Sequence, residues 1–525
     1  MQLNRQLLYR GFYSKIMSTT FYDSYKPLRN KIRNYNSKQL ILSLINLAHQ
    51  LDRTPVEQWK YFQPCEILLL IKWAISEYDS AEKDQNLSEA ICNGFIKNLK
   101  DLFELHRSDA LSRHSENQLP KFLRQTAFQQ FWLQPAGHLT TEIMARQLML
   151  FLPSTLEKSN RINDLFLKKT GISIKTFFEI SFMALARFLD EKNPTISISK
   201  DFFKSCAHSF TSDEINIYFK LLSLSFDESK EYAKADLKNK KDKLGFQIFE
   251  QTPFTIYPFL REGDNFILYS PAILHYVIRY YVYDFLKLHY DSNFLGDFGS
   301  IFEKYLRLGL DFSQTKYGDE KELKKLLPKD TQLVDFFIES DDNLVLIDAK
   351  ATEMQNFTRA TQDNEWISRT LEKNVIKGVK QCYQVAQHFK NKGKIYSIIV
   401  TYKELYLGGV GRIWDEFLKD DLEDFFRDNN IDSSVISHDN IYVISADDFD
   451  LFMKAIKHDS SNLIKILDQA TKMDKDGSTG KLLLGQHIKD FLPKKDEHQL
   501  PYLSQLSDSF YSDMAKRFAP IAVTA

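Results

Sequence analysis

Cysteine is sparse in this chain of 525 residues: Cys65, Cys92, Cys206 and Cys382 stand far apart and form no Cys-x-x-Cys pair. That spacing speaks against a disulfide framework and a thiolate zinc site, and a reducing cytoplasm is the simplest setting. The 12 histidines supply no His-Glu-x-x-His and no other paired zinc spacing. Glycine and proline are also few, at 18 and 14, which suits long helices with short connections better than a many-stranded sandwich. Net charge is missing too. With 69 Lys and Arg against 70 Asp and Glu, bulk charge does not draw the chain to nucleic acid, and such a partner would need a local basic surface. No apolar run approaches the roughly 18 residues needed to cross a bilayer, so no membrane partner is expected. Arg5, Arg10 and Lys15 precede the first acid, Asp23, a trait of organellar presequences, but the cytoplasmic reading is the simpler one.

What is present points to several domains. The length exceeds what one hydrophobic core usually organises, so two or three domains are expected. From about residue 36 to 225 apolar residues recur at three- and four-residue spacings, as in Leu40–Leu47, Ile67–Ile75 and Phe177–Leu189, the pattern of amphipathic helices. Residues 227–243 are almost wholly polar and read as a solvated helix or linker, with a domain boundary near them. Beyond lies a strand–turn–strand around Arg261-Glu262-Gly263-Asp264, then a helix over about Ala272–His289. A mixed α/β segment follows. It comprises a helix over Phe298–Leu308, strands over Leu333–Ile338 and Leu344–Lys350, a helix from Leu371 to about Lys392, and strands over Ile395–Val400 and Ile441–Ile444. The expected spans are therefore a helical recognition or partner domain over 1–240, an α/β domain over 241–458, and a helical extension over 459–525.

Two of these strands carry charges that are costly to bury. Asp335 sits within one apolar strand, and Asp348 and Lys350 end the next. A carboxylate in such surroundings costs several kcal/mol unless it is paired, hydrogen-bonded or bound to a cation. Residues two apart on a strand share a face, so Asp348 and Lys350 project together. Pairing of the strands through the Ser340–Asn343 turn brings Asp335 to Asp348 at the open end of the hairpin. Two carboxylates, the Ala349 carbonyl and water would make a hard oxygen site for Mg²⁺, with Mn²⁺ able to substitute. Such a metal would neutralise a phosphate and acidify a bound water, while Lys350 would position the nucleophile and balance charge.

At these residues the sequence resembles the PD-(D/E)xK nuclease superfamily, the restriction-endonuclease-like fold. The resemblance spans roughly residues 298–444 and rests on Asp335, on Asp348-Ala349-Lys350 after a short hairpin, and on Phe302-Glu303 in the preceding helix. It implies an α/β nuclease domain with a mixed central sheet, and it makes Glu303 the acid that completes the metal site. It also implies a Gln or Lys on the helix after the motif. Gln381 and Lys377 are the candidates, and Lys373, Lys377 and Lys380 form a stripe fit for a phosphate backbone or for plain solvent. Val334 stands where the family often has Pro, and the second acid is the shorter Asp. The implied function is a Mg²⁺-dependent endonuclease acting on DNA, suited to prokaryotic genome defence, with a protein partner or homo-oligomer open. An RNase, and a catalytically inactive binding or scaffold protein that keeps the fold, are the alternatives.

The tripeptide alone means little. Glu228-Ser229-Lys230, Asp319-Glu320-Lys321 and Glu322-Leu323-Lys324 match it as well, but in polar stretches unsuited to a buried site. Only Asp348-Ala349-Lys350 ends an apolar strand with another acid-bearing strand just before it. Other candidates fail on spacing. A calcium loop from Asp474 has Gly485 where a bidentate Glu belongs, and Gly477–Lys481 is too short for a phosphate loop.

Overall fold

Four short strands carry the first sheet: β1 (Ser197–Ser199), β2 (Ser223–Ser225), β3 (Phe259–Glu262) and β4 (Asn265–Leu268), in the order β1-β4-β3-β2. β3 and β4 are the expected hairpin, turned at Gly263, whose φ of 60° suits a residue without Cβ. β1 pairs antiparallel with β4, and β2 pairs parallel with β3. The protein is seen in a computed structural model that describes residues 22–35, 37–59, 63–81, 89–112, 118–134, 140–153, 155–204, 210–239, 247–361, 363–409, 411–476, 479–493 and 500–518. Arg5, Arg10, Lys15 and Cys206 lie outside them.

Helices surround this sheet, among them Ser37–Asp52, Pro64–Ser76, Ile174–Phe188, Ser212–Leu222 and Phe226–Asn239. Every residue of Pro64–Ser76 is buried. Its start is set by Pro64, whose missing N–H is not needed in the first helical turn. Lys72 lies within that buried helix and is ion-paired to Asp236. Thr211 and Glu214 close a capping box on Ser212–Leu222. The polar run after Asp227 is helical, and Ser229 and Ala233 are buried along it.

The second sheet is larger and mixed. β5 (Gly318–Asp319), β6 (Phe336–Ser340), β7 (Asn343–Lys350), β8 (Ile395–Thr401) and β9 (Ile441–Ser445) lie in sequence order across it. β5, β6 and β7 pair antiparallel, while β7, β8 and β9 run parallel. All seven residues of β8 are buried, as a central parallel strand covered on both faces requires. The β7–β8 crossover runs through Asn356–Ala360, Asn364–Leu371, a π turn over Glu372–Ile376, and Lys377–Ala386. The chain is thus mostly helical with two small mixed sheets, the α/β part following a helical one. No helix among the described residues is long and apolar enough to cross a membrane.

Three expectations are revised. The helices expected over Ala272–His289 and Phe298–Leu308 are one helix, Pro271–Ser313. Gly296 and Gly299 weaken it by about 1 kcal/mol each but, unlike a proline, do not break it. The strand expected from Leu333 starts at Phe336, which leaves Asp335 just outside the ladder. Finally, two compact units divide the chain along lines that differ from the contiguous spans expected. One comprises Met1–Leu139, Asp164–Phe285 and Tyr511–Ala525; the other comprises Thr140–Asn163 and Leu286–Phe510. The β3–β4 hairpin falls in the first unit because β1 and β2 occupy its edges. Thr140–Asn163 falls in the second, where buried Arg146 pairs with Asp447 at 2.5 Å and Asp450 at 3.1 Å. No local pattern announces a pair so distant in sequence.

A second ion cluster stands at the carboxyl ends of β7 and β8. Glu353 accepts from Lys287 at 2.9 Å, Lys403 at 2.5 Å and Arg359 at 3.4 Å. Burial alone would raise this carboxyl, but Lys403, Arg359 and Lys287 outweigh it and hold the group far below its usual range. A depressed carboxylate adds stability above its unfolded value and loses it as pH falls. Glu353→Gln should therefore cost about 3 kcal/mol at pH 7. In urea unfolding, the gap to the wild type should begin to narrow below roughly pH 4 and close only as pH falls through the far lower folded value.

Candidate active site

The β6–β7 ladder pairs Phe336 with Ile347, so one step further Asp335 stands opposite Asp348 at the open end of the hairpin. The Ala349 N–H donates to Asp335 Oδ2 at 2.7 Å. Asp348 is 1% exposed and ion-paired to the Lys350 ammonium two residues on, on the same strand face. Lys350 Nζ also donates to Gln381 Oε1 at 3.0 Å, and Gln381 Nε2 donates to the Leu333 carbonyl at 2.5 Å. Asp335, Asp348, Lys350 and Gln381 thus meet at one end of the sheet. Gln381 ties the helix after the motif to β7 and to the segment before β6.

Electrostatics mark the spot as strained. The Asp348 carboxyl is pushed up by burial, pulled down by Lys350, and pushed up again by Asp335, with a net rise. Asp335 is raised by burial, against the Ala349 N–H and Lys350. Asp335 makes Asp348 harder to ionise, while a hydrogen bond with Asp348 lowers Asp335 in turn, so the pair is uneven and a cation would relieve the field on Asp348.

Glu303 is near but not within this group. Its carboxyl is raised by burial and by Asp335, while Arg307 one turn along lies 3.8 Å away and opposes the rise. Among the described residues, no three His, Cys, Asp or Glu side chains stand close enough together to hold a metal ion. Glu303 is therefore linked to Asp335 by charge, which raises its carboxyl, and not by a shared contact. Ala349 is engaged through its N–H, whereas the sequence suggested its carbonyl.

The lysine stripe is only partly as expected. Lys373 and Lys377 are exposed. Lys380 is half-buried, with its ammonium 5.4 Å from the centre of the Phe425 ring, and its charge opposes the burial that raises the Asp421 carboxyl. The π turn over Glu372–Ile376 contains Lys373, and its extra residue breaks the even helical spacing that put all three on one stripe. Further along, Gln384 accepts from the Gln332 N–H and Gln387 donates to the Asp432 carbonyl, so both are used in packing.

Two participants were missed in the sequence. Glu320 donates its backbone N–H to the Asp335 carbonyl at 3.2 Å, and its charge raises both Asp335 and Glu303. Gly378 is packed against the carboxylate itself: a Cβ there would lie 2.5 Å from Asp348 Oδ2. The visible signal was a lone glycine inside a helical pattern, which usually has a packing reason. Glu320 gave no signal beyond its polar run.

Comparison with family models, with curated proteins and with solved structures finds no match to this chain.

A carboxyl raised in the folded state adds stability at acid pH and loses it as pH rises through the folded value. Without metal, the wild type should therefore become less stable between pH 5 and 8. Asp335→Asn keeps an acceptor for the Ala349 N–H and removes one charge. It should be more stable than the wild type by about 1 kcal/mol at pH 8 in EDTA. Chemical denaturation at both pH values checks this, and a variant less stable at pH 8 would contradict the strain described.

Proposed function

We propose that the second unit is a metal-dependent phosphodiesterase of the PD-(D/E)xK type that cleaves DNA. The observation that carries this reading is the pair of opposed carboxylates, Asp335 and Asp348, with the Lys350 ammonium on one of them. A buried hairpin with merely structural charges has no need of two acids set opposite each other, one of them raised by the other's charge.

The donor set fits a hard divalent cation: Asp335 and Asp348 would hold Mg²⁺ or Mn²⁺, with Glu303 and Glu320 adding negative field. When bound, such an ion neutralises charge on the phosphate and lowers the pKa of a bound water. The chain's own residues supply the rest. The Ala349 N–H fixes the rotamer of Asp335. Gln381 holds the Lys350 ammonium between the helix and the strand, where its charge can balance that on a phosphate oxygen. Lys373 and Lys377 are the exposed cations on the same helical run. A nearby cleft in which acids such as Glu365, Glu372, Asp415 and Asp420 outnumber the cations Arg369 and Lys419 disfavours a phosphate backbone on its own side.

A binding protein without catalysis is the second reading. It is favoured by the lack, among the described residues, of three ligating side chains drawn together.

Purified protein incubated with plasmid DNA and with RNA separates these readings. Cleavage of plasmid with Mg²⁺ or Mn²⁺ and none in EDTA is expected. Asp348→Ala and Lys350→Ala should each lower the rate by roughly 100-fold or more while remaining folded. Metal and DNA binding without cleavage would support the second reading, and cleavage of RNA alone would move the substrate. Nucleic-acid affinity should also fall with salt. Replacing Lys373 and Lys377 with Gln should flatten the log–log salt slope by up to about two. Lys380→Gln should leave that slope as it is, and an equal effect from all three would return Lys380 to the binding face.

A further inference from the structure

Gly378 is the one glycine in the run Asn364–Ala386. Its backbone is not in the left-handed region, so the reason for glycine here is space, not conformation. A Cβ at this position would lie 2.5 Å from Asp348 Oδ2, 2.9 Å from Ile399 Cδ1 and 3.1 Å from Lys350 Cε. Two of these atoms belong to the candidate site. The third sits on the neighbouring strand, in register with Asp348. Asp348 and Ile399 are both buried, so neither can swing aside into solvent. One turn along the same helix, Cys382 is fully buried and feels the Asp348 charge. The helix therefore lies directly on the carboxylate, at a distance that only a bare Cα allows.

Gln381 is on that helix, three residues after Gly378. Its side chain reaches Lys350 Nζ at 3.0 Å and the Leu333 carbonyl at 2.5 Å, and these bonds need the helix where it is. Pushing the helix outward by the width of a methyl group would lengthen the Gln381–Lys350 bond. Keeping the helix in place would instead drive Asp348 or Lys350 from its position.

We propose that Gly378 is a positioning residue of the candidate site: its missing side chain lets the helix hold Lys350 on Asp348 through Gln381. The effect on catalysis rests on the nuclease reading above, but the contact itself does not, and the test keeps the two apart. In the full-length chain, Gly378→Ala, Asp348→Ala and the double variant form a cycle read by melting temperature. Gly378→Ala should lower Tm by several degrees in the wild type and by less than about half as much once Asp348 Oδ2 is gone. An equal loss in both backgrounds would assign Gly378 to general helix packing and overturn the proposal. If Gly378→Ala alone does not fold, the double variant is expected to fold, and its failure overturns the proposal equally. For plasmid cleavage, kcat per folded molecule, with the folded fraction taken from the same melting curves, should fall at least about tenfold in Gly378→Ala with KM within roughly twofold, whereas partial unfolding would lower kcat only in proportion to the folded fraction. An unchanged kcat would overturn the positioning role. A wild type that cuts nothing would sink the nuclease reading while the melting cycle still decides the contact.

Discussion

Asp335 and Asp348 face each other where β6 and β7 open, with Asp348 almost fully removed from water. The repulsion that Asp335 exerts on the Asp348 charge, at low effective dielectric, is the constraint around which the candidate site is arranged. Each surrounding feature either lessens that repulsion or holds it in place. The Ala349 N–H and the Lys350 ammonium lessen it. Gln381, bonded to Lys350 and to the Leu333 carbonyl, fixes the ammonium, and Gly378 lets the helix come near enough for Gln381 to do so. Glu303 and Glu320 work the other way and deepen the negative field. An arrangement that leaves net repulsion in a folded protein is stable only because the packing around it is extensive. β8, buried along its whole length beside β7, provides much of that packing.

The centre of this arrangement was legible because its rule is local. Period-two alternation and a four-residue turn fix the face on which Asp348 and Lys350 project, and a hairpin register carries Asp335 to Asp348. What escaped the sequence depends on tertiary distance or on helix phase. Lys373, Lys377 and Lys380 read as one stripe under a regular 3.6-residue period, and a single π turn removes that regularity. Nothing in Glu372–Ile376 marks such a turn. Gly378 was visible as an oddity, but its meaning needed the position of Asp348 across the helix–sheet contact. The boundary near residue 240 failed to anticipate the units for a similar reason. β1 and β2 are only three residues long and carry no strand signal of their own, yet they claim the β3–β4 hairpin.

Ion pairs recur where the second unit needs specificity as well as burial. Arg146 is held by Asp447 and Asp450, and Tyr305 donates to Asp450, which ties three stretches far apart in sequence. Glu353 gathers Lys287, Arg359 and Lys403 beside the ends of β7 and β8. The Glu353 cluster differs from the Asp335–Asp348 pair in one respect. Three cations meet the one carboxylate of Glu353 and hold it strongly ionised, whereas Asp348 has one cation against it and is raised by burial and by Asp335. That contrast sets the pair apart from an ion cluster whose carboxylate is fully matched by cations.

The central claim, that Asp335 and Asp348 form a divalent-cation site, is most directly tested by titrating Mn²⁺ into the protein and following the free ion by electron paramagnetic resonance. The account predicts saturable Mn²⁺ binding at this pair, competed by Mg²⁺ and absent from Asp348→Ala. No bound Mn²⁺ in the wild type, or binding that survives unchanged in Asp348→Ala, would contradict it.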